Sequence, residues 1–210
     1  MTTLVVIAKE CLPGRVKTRL HPDLTLEQAA QAASASLADT FAALAGLQAD
    51  RRILAFDGIV PPPGSEPYDV ISQSAGDLDE RLAAVFDAIE GPTLLVGMDT
   101  PQLSAADLSP YFPWPADVDF VFGPALDGGF WCLGMREPRG DLIRGVPMSR
   151  DDTGVLQLQR LCQSAGATGR EIRMLPPLMD VDTIVEARAV AALAPDTQFA
   201  RTLSAMGAVA

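Results

Sequence analysis

Short apolar runs alternate along this chain with longer segments in which apolar residues recur every three or four positions. The first run spans 4–8, and comparable runs follow at 53–56, 70–71, 93–97, 120–122, 130–134 and 172–175. Runs of this length, bounded by glycine, proline and polar residues, are typical of buried β-strands. Their alternation with helical segments predicts βαβ units and therefore an α/β fold.

The longest helical segment begins after Thr25, which has Gln28 three positions later and so matches a capping box. We expect this helix to run to about Leu47, with one apolar stripe facing the core: Leu26, Ala30, Ala33, Leu37, Phe41 and Leu44. Further helices are predicted from Asp77 to about Ile89, after Ser104, and over 153–164, 183–193 and 196–206.

Composition narrows the class of protein. With 210 residues and 48% hydrophobic content, we expect residues 1–210 to form one domain with a sizeable core. A net charge of −11 disfavours binding to polymeric nucleic acid, and no apolar run is long enough for a membrane span. Three scattered cysteines and the lack of signal-peptide features predict a cytoplasmic protein with free thiols. Cys11 lies among cations, which could lower its pKa.

One carboxylate follows the fourth apolar run. The segment 93–97 ends in glycine, Asp99 comes two residues later, and Pro101 prevents a simple continuation of the strand. Ligands of open α/β sheets bind just outside the carboxyl ends of strands, and carboxylate oxygens suit hard cations such as Mg²⁺. Asp99 is therefore a candidate metal ligand. The alternative is a carboxylate that caps the next helix or braces a turn.

A basic loop follows the first predicted strand and contains Lys9, Arg15, Lys17 and Arg19. Because the last three alternate along the chain, an extended backbone would direct their side chains to one side. Guanidinium and ammonium groups both bind phosphate, so the loop predicts a site for a di- or triphosphate. Its spacing is not that of a Walker A loop. The alternative is a solvated basic loop on an acidic protein.

Two further acidic turns lie later in the chain. Asp127 precedes two glycines between apolar runs, which predicts a β-hairpin and also allows the backbone to approach a ligand. Both interpretations hold if the hairpin lies at the rim of a site with Asp127 facing inward. Asp180 and Asp182 alternate, so in an extended segment they would point the same way, as metal ligands do. Alternatively, Asp182 or Thr183 caps the following helix.

Taken in order, these motifs resemble those of the DUF2064 family, which is glycosyltransferase A-like and related to nucleotide-diphospho-sugar transferases. The similar segments are Ala8-Lys9 with Pro13-Gly14-Arg15-Val16-Lys17-Thr18-Arg19-Leu20, Gly97-x-Asp99-x-Pro101-x-Leu103, Gly123-Pro124-x-x-Asp127-Gly128-Gly129, and Asp180-x-Asp182-Thr183. The resemblance implies a three-layer α/β/α sandwich with a mostly parallel mixed sheet, of the glycosyltransferase A type. It also implies that Asp99 is a metal ligand, that Lys17 and Arg19 bind a triphosphate, and that the turn from Gln73 to Gly76 contacts the base.

Together these features predict a transferase that acts on a nucleotide-sugar or nucleoside triphosphate and moves a glycosyl group to a small acceptor. The residues expected to serve it are Asp99 and Asp182 for Mg²⁺ or Mn²⁺, Lys9, Arg15, Lys17 and Arg19 for phosphates, Gln73 and Gly76 for the nucleotide, and Asp99 and Asp127 for catalysis. One alternative is a nucleotidyltransferase that joins a nucleoside monophosphate to a small phosphorylated acceptor. Another is a nucleotide-binding protein without turnover. The sequence does not identify the base, the sugar or the acceptor, and it leaves open whether the chain forms a homodimer.

Overall fold

The computed structural model describes residues 1–208, which are built around a seven-stranded sheet. Its strands are β1 (Thr3–Lys9), β2 (Arg51–Asp57), β3 (Asp69–Ser72), β4 (Thr93–Val96), β5 (Val118–Pro124), β6 (Phe130–Met135) and β7 (Glu171–Met174). The strand order is β3-β2-β1-β4-β6-β5-β7, and β6 runs antiparallel to β4 and β5 while the other neighbours pair in parallel. The mostly parallel mixed sheet is thereby confirmed.

The central strands are apolar in their middle residues because helices cover both faces of the sheet. In β1, Val5 pairs with Ile53 of β2 on one side and with Leu95 of β4 on the other, and all three side chains are buried. The parallel strands β1, β2 and β4 end at the same edge of the sheet. Loops that carry polar residues begin at this edge. Polar side chains from separate parts of the sequence therefore meet at one edge of the sheet.

The described residues form six α-helices: α1 (Leu26–Leu44), α2 (Leu78–Asp87), α3 (Ala105–Leu108), α4 (Thr153–Ala165), α5 (Ile184–Leu193) and α6 (Gln198–Ala205). The predicted capping box of α1 is present, since the Gln28 amide donates to Thr25 Oγ1 at 3.2 Å and the Thr25 amide donates to Gln28 Oε1 at 2.9 Å. Asp77 occupies the N-cap position of α2, but its side chain accepts no capping hydrogen bond from the described residues.

Helix α1 is buried on two sides. Its residues Ala30, Ala33, Leu37, Phe41 and Leu44 pack toward the sheet as predicted, whereas Leu26, in the first turn, is 36% exposed. A second row of alanines contacts Phe199 and Leu203 of α6 and the buried residues of α5. The alanine-rich composition of α1 therefore reflects two close packings, and α5 and α6 form an additional layer outside the sandwich. Helices α2 and α4 cover the opposite face of the sheet.

Across the described residues, the helices are too short or too polar to cross a lipid bilayer.

Candidate active site

A cavity of about 710 Å³ opens at the carboxyl edge of the sheet, a volume typical of small-ligand sites. The loop after β1, the ends of β1 and β4, the start of α2, the β5–β6 turn and the segments before α4 and α5 form its walls. Its charged lining residues are Lys9, Arg15, Lys17, Arg19, Asp77, Arg81, Asp99, Asp127, Arg150, Asp151, Asp180 and Asp182. Of the predicted site residues, Gln73 is the one that does not line this cavity.

The centre of the site is an ion-pair cluster around Lys17. Its Nζ lies 2.9 Å from Asp99 Oδ1 and 3.3 Å from Asp182 Oδ1, and the lysine side chain is only 9% exposed. Arg19 Nη1 lies 3.1 Å from the other oxygen of Asp182. Burial disfavours the charged lysine, but the neighbouring carboxylates outweigh burial and raise the pKa of Lys17. The ammonium therefore stays charged at neutral pH.

The expectation that the three cations of the basic loop point one way from an extended backbone is wrong. Lys17 has a left-handed backbone conformation (φ 48°, ψ 36°), and Thr18–Leu20 form a 3-10 turn. As a result, Arg15 Nη2 lies 3.7 Å from Asp57 at the end of β2, whereas Lys17 faces Asp99 and Asp182. A left-handed conformation is uncommon for a residue with a side chain, so the contacts of that side chain must offset its cost.

The structure excludes one alternative for Asp99, the cap of the next helix. The side chain of Ser104 caps α3 by accepting from the Ala106 amide at 3.2 Å, while the Asp99 carboxylate faces Lys17 in the cavity. The Asp99 backbone carbonyl accepts from the Val181 amide at 3.1 Å, which joins the end of β4 to the second acidic segment. The capping interpretation of Asp99 is therefore wrong.

Asp182 is likewise free of a capping role. Thr183 caps α5, since its hydroxyl accepts from the Val185 amide at 3.3 Å and its own amide donates to Glu186 Oε2 at 2.8 Å. This capping box holds the start of α5 and leaves the preceding Asp182 directed at Lys17 and Arg19. Both acids thus reach the cavity from separate elements of the fold.

The turn at Asp127 satisfies both interpretations of its sequence. Strands β5 and β6 form the predicted antiparallel hairpin, and Asp127 lines the cavity at its tip. Asp127 Oδ1 accepts from the Gly129 amide at 2.8 Å, which fixes the carboxylate relative to the turn. Its second oxygen is available for a ligand hydroxyl group.

Asp180 is a site residue that the sequence indicated only as one member of the Asp180-x-Asp182 pair. The one signal that points to it is its alternation with Asp182. Its Oδ1 is buried and finds no hydrogen-bond partner within residues 1–208. Burial, followed by repulsion from Asp99 and Asp127, raises the pKa of the Asp180 carboxyl to about 7, although Lys17 opposes the shift.

We expect Asp180→Asn to stabilise the protein above neutral pH when divalent metals are chelated. Between pH about 4 and about 7 the folded state binds one more proton at Asp180 than the unfolded state, so its contribution to stability is lost as pH rises. The variant should match wild type near pH 4 and exceed it by on the order of 3 kcal/mol above pH 7. Urea unfolding across this range measures the difference. Asp151→Asn, which removes an exposed acid of the same cavity, is the control, and parallel profiles for Asp180→Asn and wild type would contradict the expectation.

The predicted base-contacting turn is anchored to two strands. Gln73 Nε2 donates to the Ala8 carbonyl at 2.9 Å and to the Ala55 carbonyl at 3.0 Å, and so ties the ends of β1 and β2 together. Gly76, with a φ of 111°, does line the cavity. Contact of this turn with a nucleotide base stays a prediction.

Two groups of cavity residues were missed in the sequence. Arg81 lines the cavity from α2 and pairs with Asp57 at 2.9 Å. The loop before α4 contributes Arg150, whose amide donates to the Thr153 hydroxyl at 3.1 Å, while that hydroxyl donates to the Pro147 carbonyl at 2.8 Å. Neither group belongs to a recognisable motif, since each reaches the cavity only through tertiary packing.

The three cysteines are free, as expected. The expectation of a lowered pKa at Cys11 is wrong, however. Burial, followed by the nearby Asp99 carboxylate, raises the pKa of this thiol to about 11, and the attraction of Lys17 does not compensate. Cys11 is therefore a poor nucleophile at neutral pH.

The oxygen atoms of this cluster suit a hard divalent cation. Asp99 and Asp182 converge on one ammonium group, and the Asp180 Oδ1 and Thr100 Oγ1 atoms are buried without hydrogen-bond partners in the described chain. Residues 1–208 contain no group of three or more histidine, cysteine and acidic side chains arranged to hold a metal ion by themselves. Mg²⁺, however, is commonly held by one or two carboxylates together with substrate phosphates and water. Asp99 and Asp182 fit that pattern.

Several solved structures share the fold of this chain. A protein of Desulfovibrio desulfuricans G20, provisionally described as a nucleotide-diphospho-sugar transferase, superposes with a TM-score of 0.81 at 22% identity, covering 99% of this chain and 96% of that one. A CMP:2-keto-3-deoxy-manno-octonic acid synthetase complexed with CTP superposes with a TM-score of 0.53 at 12% identity, covering 93% of this chain and 98% of that one. Rv0371c of Mycobacterium tuberculosis H37Rv, solved with manganese, superposes with a TM-score of 0.50 at 21% identity, covering 90% of this chain and 96% of that one.

These similarities show that the chain has the same fold as these three proteins. The sequence model of the family described as "Uncharacterized protein conserved in bacteria (DUF2064)" matches residues 25–150. The chain belongs to this DUF2064 family. A search of curated proteins finds no sequence match.

Proposed function

We propose that this chain is a divalent-metal-dependent transferase that uses a nucleotide-sugar and transfers its glycosyl group to a small acceptor. The observation that carries the proposal is the convergence of Asp99 and Asp182 with Lys17 and Arg19 at the carboxyl edge of the sheet. Two carboxylates suit a divalent ion, and two cations suit the phosphates that such an ion bridges. The fold shared with nucleotide-using proteins supports this assignment.

In this proposal Asp99 and Asp182 hold Mg²⁺ or Mn²⁺, which when bound neutralises the charge that develops on the departing nucleotide phosphate. Lys17 and Arg19 bind and orient the remaining phosphate oxygens. Asp127, fixed by the Gly129 amide, orients a hydroxyl group of the acceptor. Transfer from a diphosphate depends mainly on positioning and electrostatics, so these residues suffice without a catalytic histidine.

A second candidate function is nucleotidyl transfer. An acceptor phosphate would attack the α-phosphorus of a nucleoside triphosphate, and pyrophosphate would leave. Arg15, Lys17 and Arg19 on one loop favour this alternative, because three cations match the charge of a triphosphate better than that of a diphosphate. The fold of the CTP-bound synthetase supports it as well. We further infer a cytoplasmic location, which rests on the three unpaired cysteines.

Calorimetric titration tests the proposed function. Nucleoside diphosphates, nucleoside triphosphates and nucleotide-sugars of each base are titrated into the protein with Mn²⁺ and with a chelator. We expect at least one of them to bind about tenfold or more tightly with Mn²⁺. Release of a nucleoside diphosphate on incubation with nucleotide-sugars indicates glycosyl transfer, and release of pyrophosphate from triphosphates indicates nucleotidyl transfer. Binding without either product identifies a non-catalytic binder, and no binding at all contradicts the proposal.

A further inference from the structure

Lys17 occupies the space in which the two candidate metal ligands meet. Its Nζ lies within 3.3 Å of one oxygen each from Asp99 and Asp182, and its side chain is almost fully buried. One ammonium group therefore neutralises part of the charge of both acids in the ligand-free protein. Without a cation at this position, two carboxylates would repel each other in a partly buried setting.

A divalent ion and this ammonium group compete for the same oxygens. Mg²⁺ needs oxygen ligands at about 2.0–2.1 Å, so an ion bound to both Asp99 Oδ1 and Asp182 Oδ1 would lie close to the present position of Nζ. Two cations at that separation repel each other strongly in this partly buried setting. Entry of the metal therefore requires the lysine to leave.

The displaced ammonium needs another anion, and the lysine side chain is long and flexible enough to move to one. The cavity next to it is the proposed site of the nucleotide phosphates, whose oxygens accept strong hydrogen bonds from lysine. Metal entry and phosphate binding then favour each other. The phosphates draw the ammonium group away from the metal position, and the metal releases the ammonium group to bind the phosphates.

We propose that Lys17 is an exchangeable counter-cation that neutralises Asp99 and Asp182 in the ligand-free protein and moves to the nucleotide phosphates when the divalent ion enters. This inference rests on the proposed function. It makes metal and nucleotide binding cooperative, and by linkage each ligand raises the affinity for the other by the same factor. It also means that the lysine suppresses metal binding in the absence of nucleotide.

The test is a titration with Mn²⁺ in the absence of nucleotide. The electron paramagnetic resonance signal of free Mn²⁺ measures how much of the ion is bound. Lys17→Met keeps the aliphatic stem and removes the charge, and we expect it to bind Mn²⁺ about tenfold or more tightly than wild type. Arg51→Met, which removes an exposed cation that is ion-paired with Asp69 and does not line the cavity, is the control and should change the affinity about twofold or less. Lys17→Arg keeps the charge and should bind Mn²⁺ as weakly as wild type. Equal Mn²⁺ affinity for Lys17→Met and wild type would overturn the exchange.

A second measurement uses wild-type protein alone, so the test does not depend on the folding of a variant. Mn²⁺ and a nucleoside diphosphate added together should raise Tm by more than the sum of their separate shifts, since cooperative ligands stabilise the folded state by mass action. An additive shift would contradict both the exchange and the proposed metal dependence, whereas equal Mn²⁺ affinity of Lys17→Met and wild type, together with Mn²⁺-dependent nucleotide binding, would overturn the exchange alone. Failure of every nucleotide to bind with Mn²⁺ would instead overturn the proposed function, whatever the Mn²⁺ affinity of Lys17→Met.

Discussion

Asp99→Asn should remove metal-dependent nucleotide binding while leaving the fold nearly unchanged. Asparagine preserves the shape of the side chain but lacks the charge that holds a divalent ion. We expect nucleotide affinity in Mn²⁺ to fall about 100-fold or more, because even residues that only support a metal ligand cost 10- to 100-fold when removed. Calorimetric titration with Mn²⁺ and with a chelator measures the change.

Stability should change little in the same variant, by about 1 kcal/mol or less, because Asp99 is 40% exposed and Lys17 keeps its contact with Asp182. Asp69→Asn is a matched control, since Asp69 is also an ion-paired acid, bound to Arg51 at 3.1 Å on the edge strand β3, but does not line the cavity. Retention of full metal dependence in Asp99→Asn would remove Asp99 from the metal site and transfer that role to Asp182 and its neighbours.

Gly128→Ala should destabilise the protein strongly. Gly128 has a φ of 91°, and a Cβ atom there would lie 2.0 Å from the backbone oxygen of Asp151. The Gly128 carbonyl also accepts from the Gly154 amide at 2.7 Å, so the hairpin tip and the start of α4 cannot separate without loss of that bond. The backbone conformation costs alanine about 1–2 kcal/mol, and the overlap adds about 1–3 kcal/mol.

Gly145→Ala isolates the first of these contributions, the cost of the backbone conformation. Gly145 has a φ of 75°, but a Cβ atom there would meet no atom within 4 Å, so this variant should show only the conformational cost. Thermal unfolding of both variants gives the comparison, and the difference between them measures the close contact at Asp151. Equal losses would show that the hairpin tip moves away from α4 easily. In that case Asp127 would not be held rigidly at the rim of the cavity.

The elements of the fold were predictable because each has a strong local cause. The capping boxes at Thr25 and Thr183 and the hairpin turn at Asp127 are encoded within a few residues, and all three are present. The start of α2 at Asp77 was placed correctly for a different reason, since the side chain there makes no capping bond. Local sequence thus located the helices and the turn even where the expected contact is missing.

The site was predictable only in part, because its chemistry depends on tertiary contacts. The chain position of Asp99 at the end of a strand was enough to bring it into the cavity. The direction of Lys17 was not predictable, since its left-handed backbone conformation has no signal in the local sequence and its partners are acids 82 and 165 positions away. The raised pKa of Asp180 was not predictable either, because the burial of Asp180 and its closeness to Asp127 are not properties of the local sequence.

The alanines on the outer side of α1 determine how closely the layer of α5 and α6 packs against this helix. Helix α1 is attached to the sheet beside Asp99, where the Ser36 hydroxyl donates to the Met98 carbonyl at 2.7 Å, and its outer face carries the layer that begins just after Asp182. The close approach of this layer to α1 therefore depends on the small size of the alanines. Bulkier side chains at Ala32 or Ala35, outside the cavity, would press the layer away and strain the hydrogen bond from the Val181 amide to the Asp99 carbonyl, which holds the second acidic segment beside the first.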